Sequence, residues 1–112
     1  MRINFSAPLY SLLGKPFAQE DGSPLSLYWP CVEALLSPDQ AANGVERMHR
    51  YMLAKSIMRG GPVEVTSEEV TRIKQQVERV FPSVDLYGAI HEALEGPQVF
   101  EDSEVPARVV GP

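Results

Sequence analysis

The chain has 112 residues, of which 44% are hydrophobic and 22% charged, and its formal net charge is −5. That length suits a single domain with a modest core and needs no disulfide or metal staple. The acidic balance excludes a general nucleic-acid or anionic-membrane binder, and one cysteine, Cys31, excludes an internal disulfide and a multi-cysteine zinc site.

The charge is unevenly spread. Between Val45 and Val80 seven basic residues accompany five acidic ones, so the remainder carries −7. A mildly basic middle is therefore flanked by acidic ends. No apolar run reaches the roughly 18 residues of a membrane span. The segment Met1 to Pro8 lacks the apolar stretch of a signal peptide. A soluble protein of the cytosol is expected.

The first 28 residues are turn-rich. Ile3 and Phe5 alternate with polar neighbours, as one face of a short strand does. Tyr10 to Leu13, Gly14-Lys15, and Pro16 to Ala18 form a tight hairpin pattern, with Gly14 free to take positive φ. Asp21-Gly22 marks a second turn. Pro8, Pro16 and Pro24 restrict these pieces to edge strands or irregular β structure. Neither an internal repeat nor a low-complexity run is expected along the chain.

A first helix is predicted from about Pro30, with Val32, Leu35 and Leu36 as its apolar side and Ser37-Pro38-Asp39 as its end. A second runs from Val45 to Met58 behind Asn43 as N-cap. Met48, Tyr51, Met52, Lys55 and Met58 lie on one of its sides, and Leu53 and Ile57 add a second apolar row. So wide an apolar surface predicts a central helix touched from two directions.

Gly60-Gly61-Pro62 stops that helix, and Thr66 opens the next with a full set of signals. Thr66 and Glu69 have the spacing of a capping box, and Val65 and Val70 that of a hydrophobic staple. Val70, Ile73, Val77, Val80 and Phe81 then form an amphipathic stripe that ends at Pro82. Ser83 caps a fourth helix with the stripe Leu86, Ile90 and Leu94, and Gly96-Pro97 is read as its stop.

The pattern as a whole predicts an α+β chain, mostly helical with about four helices, an N-terminal β-hairpin and an extended C-terminal tail. Residues 1–96 form the domain, divided into a hairpin and extended region at 1–28 and a helical region at 30–95. Residues 97–112 form an acidic, flexible tail.

The chemistry-bearing residues are sparse. The link from Arg59 to Thr66 offers one carboxylate, Glu64, where a calcium loop needs several oxygen ligands at alternating positions. Cys31 follows Pro30 at a helix start, where a helix dipole lowers a thiol pKa, but nothing places His49 or His91 beside it. Neither histidine has metal-ligand spacing, and Lys15 lies outside any phosphate-loop pattern. No catalytic constellation, metal site or cofactor site is predicted, and a non-enzymatic protein is expected.

Two surfaces remain. Tyr10, Leu12, Phe17, Leu25, Tyr28 and Trp29 crowd the irregular N-terminal region and are candidates for a partner or self-association surface. Arg72, Lys74, Gln75 and Arg79, on the helix over residues 67–81, are residue types that contact DNA. Glu68 and Glu69 occupy the turns that a recognition helix would insert, so a DNA-associated regulator is the alternative rather than the first expectation.

Leu13-Gly14-Lys15-Pro16 and Asp21-Gly22-Ser23-Pro24-Leu25-Ser26-Leu27, leading into Val32-Glu33-Ala34-Leu35-Leu36, resemble the front half of small prophage-encoded proteins of unknown function. Gly44-Val45-Glu46-Arg47 with Tyr51-Met52-Leu53-Ala54 is similar to their second segment. Gly60 to Glu69 with Ile73-Lys74, then Gly88-Ala89 and Ala93-Leu94-Glu95, resembles their third. The resemblance implies a tailed-phage origin and the cytosol of a bacterial host. It carries over no catalytic, cofactor or binding residue. The missing chemistry, the acidic ends and the apolar N-terminal surface lead to the expectation of a phage protein that works through protein–protein contact in assembly, chaperoning or host-factor modulation.

Overall fold

The alternation at Ile3 and Phe5 puts both side chains on one face, and both are completely buried. Their segment forms strand β1 (Arg2–Asn4). Helices α1 (Tyr28–Leu36) and α2 (Gly44–Met58), strand β2 (Pro62–Glu64), and helices α3 (Ser67–Val80) and α4 (Val84–Ser103) follow. The fold is α+β and mostly helical. The computed structural model describes the backbone of residues 1–59 and 61–103 and the side chains of residues 1–59 and 61–95.

β1 pairs antiparallel with β2, with Arg2 opposite Glu64, Ile3 opposite Val63 and Asn4 opposite Pro62. The N-terminal strand is thus tied to the link between α2 and α3. Val65, just past β2, is buried beside the same core. Pro62 is tolerated there because a two-stranded sheet consists of edges.

The predicted hairpin forms, with Tyr10 bridged to Pro16. It is one arm of a larger device. Ser11 N–H donates to Lys15 O, and Gly14 N–H, at φ 84°, donates to Ser11 O. Eight residues later the same two bonds recur: Gln19 N–H donates to Ser23 O, and Gly22 N–H, at φ 89°, donates to Gln19 O. Each loop is a turn closed by a left-handed glycine, as in a three-residue hairpin with a bulge. At the root of the arms three backbone bonds close a ring. Phe17 N–H donates to Leu9 O at 3.0 Å, Leu25 N–H to Phe17 O at 2.9 Å, and Leu9 N–H to Leu25 O at 2.9 Å. The third arm is formed by Ala7 and Leu27, with Leu27 N–H donating to Ala7 O.

This ring corrects the expectation that the chain holds no internal repeat. Pro8, Pro16 and Pro24 stand at a period of eight, as do Leu9, Phe17 and Leu25, and Gly14 and Gly22. The prolines lack the N–H that a regular sheet would need, and each next residue turns its own N–H into the ring. Leu9 is buried, and Phe17 and Leu25 are half-buried against the core.

The helices form the rest of the core. α1 packs on α2 and α3, α3 on α4, and α4 on β1. Ile3, Phe5, Leu27, Ile57, Ile73, Ile90 and Leu94 are fully buried together, and each contributes about 1.5–3 kcal/mol by leaving water. The caps are as predicted. Asn43 Oδ1 accepts from Glu46 N–H at 2.8 Å, and Ser83 Oγ accepts from Leu86 N–H at 3.2 Å. Thr66 and Glu69 form both bonds of the capping box. α4 runs past the Gly96-Pro97 stop signal to Ser103, so the proline removes one backbone bond without ending the helix. The remainder of the predicted tail, residues 104–112, lies outside the described residues.

Candidate protein-contact surface

α2 departs from the sequence expectation in a way that matters. Its inner positions Arg50, Leu53, Ala54 and Ile57 recur at i, i+3, i+4 and i+7 and are buried, against α1 above all. The other apolar side, that of Met48, Tyr51, Met52 and Met58, was also expected to meet another element and faces solvent instead. Val45 is 67% exposed, and Met48, Tyr51, Met52 and Met58 are each more than half exposed. A surface helix ordinarily turns polar residues outward. Here the outward line Val45, Met48, Met52, Lys55 and Arg59 follows the i, i+3, i+7, i+10, i+14 spacing of a coiled-coil seam. Shallow grooves flank it. One, of about 340 Å³, lies between α2 and the end of α1 and is lined by Leu36, Pro38, Arg47 and Tyr51 among others. Another, of about 350 Å³, lies towards the start of α3 and includes His49, Met52 and Glu68.

The inner side of α2 is braced by charge. Asp39, Arg50, Glu46 and Arg72 form a chain of alternating sign. Arg50 donates from Nη1 to Asp39 Oδ2 at 2.9 Å and from Nε to Glu46 Oε2 at 2.9 Å. Arg72 donates to both Glu46 oxygens, at 2.9 and 3.1 Å. The Arg72 guanidinium, followed by that of Arg50, holds the Glu46 carboxyl down to about 2 from an ordinary 4.5. The Arg50 hydrogen bond likewise holds Asp39 below its usual range. These bonds join the α1–α2 turn, α2 and α3 into one frame behind the exposed face.

Ion pairs and hydrogen bonds also occupy most of the residues that the DNA-associated alternative would use. Arg72 is engaged by Glu46, Lys74 by Glu95, and Arg79 donates to the backbone oxygens of Pro38 and Ser37 and to Gln76 Oε1. Gln75 is exposed without a side-chain bond among the described residues. Three of the four therefore serve the fold.

The N-terminal candidates divide. Phe17, Leu25 and Tyr28 are half-buried and pack on the core. Tyr10, Leu12 and Trp29 remain exposed, with Leu12 at 90% and its neighbour Leu13 at 83% on the tip of the first arm. The Leu12 N–H donates to Asp85 Oδ1 at 3.0 Å, which ties that tip to the start of α4 beside exposed Val84. Val45 and Val84 were missed as surface residues. The α2 line itself was visible, but as a row expected to be covered.

Comparison with protein-family models, curated proteins and solved structures finds no match to this chain.

For chemistry the described residues offer little. Cys31 is completely buried, and that burial pushes its thiol well above the ordinary range, so the helix-start nucleophile is closed off. The rings of His91 and Tyr87 meet at a tilt of 48° with centroids 4.5 Å apart, and His49 Nδ1 lies 3.4 Å from Arg72 Nη2. Among the described residues no three His, Cys, Asp or Glu side chains are grouped to hold a metal, and no helix is long and apolar enough to cross a membrane.

Proposed function

We propose that this protein works by protein–protein contact, without chemistry of its own, and that the outward face of α2 is the contact surface. One observation carries this: five apolar side chains of one helix, Val45, Met48, Tyr51, Met52 and Met58, stand more than half exposed. Contiguous exposed apolar surface is unfavourable in water unless something covers it in use, and such patches mark interaction sites. Methionine suits the task, because its flexible thioether adapts to a partner's relief. The salt-bridged frame behind α2 keeps the face in place without contributing to it. The resemblance to prophage-encoded proteins adds the proposed setting, which is assembly, chaperoning or host-factor modulation inside a bacterial cell.

A photo-crosslinking residue placed at Met48 or Met52, in cells that make the protein, should yield discrete heavier adducts. The same residue at Gln75 or Glu33, exposed on other helices, should yield none. Adducts at Leu12 but not at Met48 or Met52 would move the contact to the N-terminal arm. Absence of adducts at all three would contradict the proposal.

A further inference from the structure

The outward line of α2 also indicates what kind of partner covers it. Seam spacing over about four turns fits another helix, which packs such a line side by side. The line is polarised along its length. Val45, Met48 and Met52 are apolar, and then Lys55 and Arg59 take the next two seam positions. Arg47 adds a third exposed cation on the flank, beside Tyr51 and the groove at the end of α1. None of these three cations makes a salt bridge or side-chain hydrogen bond among the described residues. The one carboxylate on α2, Glu46, faces inward to Arg50 and Arg72. On a chain of net charge −5 the α2 line is thus apolar at its start and cationic at its C-terminal end, while Glu68 lines the groove on its α3 side.

We infer that the partner is an acidic amphipathic helix of another protein, apolar where it meets Val45 to Met52 and carboxylate-bearing where it meets Lys55 and Arg59. This rests on the assignment of the α2 face as the contact surface. A second copy of this chain fits poorly. Parallel pairing of two such faces sets Lys55 against Lys55 and Arg59 against Arg59. Antiparallel pairing sets those cations against Met48 and Val45. Either way, cations lose water without gaining a carboxylate from the facing α2, which is unfavourable. An acidic helix instead supplies the missing charge while its apolar row covers the methionines.

The test uses two synthetic helical peptides of about 18 residues, enough to span α2 at 1.5 Å per residue. One carries a leucine seam that ends in glutamates, and its twin carries lysines at the same places. Fluorescence anisotropy with the full chain should show the glutamate peptide binding at least about tenfold more tightly. Lys55→Glu with Arg59→Glu should reverse that preference, and Met52→Ser should weaken both peptides. Equal binding of the two peptides, still weakened by Met52→Ser, would overturn the acidic partner while leaving the contact face standing. Absence of binding by either peptide would overturn the helical partner. Sedimentation that showed a dimer dissociated by Met52→Ser would assign the face to a second copy and overturn the inference.

Discussion

Glu46 is the residue on which most of the local electrostatics converge. It accepts from Arg50 on its own helix and from Arg72 on α3, and Arg50 is itself buried and held on its other side by Asp39. Because the folded carboxyl titrates at about 2 and the unfolded one near 4.5, its contribution to stability is complete above about 4.5. That contribution is lost as pH falls towards 2. Glu46→Gln should cost about 2 kcal/mol at neutral pH, since it leaves a buried guanidinium short of a charge. Urea denaturation at about pH 7 should show that gap, and the same experiment at about pH 2 should show it nearly closed. An equal gap at both would remove Glu46 ionisation from the explanation. Arg72 looked available for DNA because its residue type is visible in the sequence and its partner, 26 residues earlier, is not.

At the scale of elements, what could be read from the sequence was what is local. The Thr66–Glu69 box and the Asn43 and Ser83 caps each form within four residues, so their spacing carries the whole signal. The pairing of β1 with β2 spans about sixty residues and depends on where α1 and α2 place the link, which no local pattern encodes. The three-arm ring is a different case. Its period of eight was present in the prolines and glycines, but three short arms do not resemble any regular strand pattern. Gly14 and Gly22 are the test of that ring. Neither would meet another atom within 4 Å if a Cβ were added, so the only strain on an L-residue is its positive φ. Gly14→Ala and Gly22→Ala should each cost about 1 kcal/mol in thermal or urea unfolding. D-alanine, introduced by chemical ligation, should cost nothing at either position. An equal loss with both enantiomers would mean that the sites lack room.

Across the whole molecule, α2 has two apolar sides with different fates. Leu53, Ala54 and Ile57 close the core, while Met48 and Met52 remain in water. From the sequence the two rows look alike, and both were expected to be covered by this chain. Periodicity reports that a row is apolar, not which molecule covers it. The distinction has a direct thermodynamic consequence. Side chains that are covered only by a partner add little to the stability of the free protein, because they are solvated in both the folded and the unfolded chain. The free energy of unfolding of the double variant Met48→Ser with Met52→Ser, measured by urea denaturation of the isolated protein, is therefore the most direct test. It should lie within about 0.5 kcal/mol of the parent. A loss of about 2 kcal/mol or more would show that this chain itself covers the face, and would contradict its role as a surface for a partner.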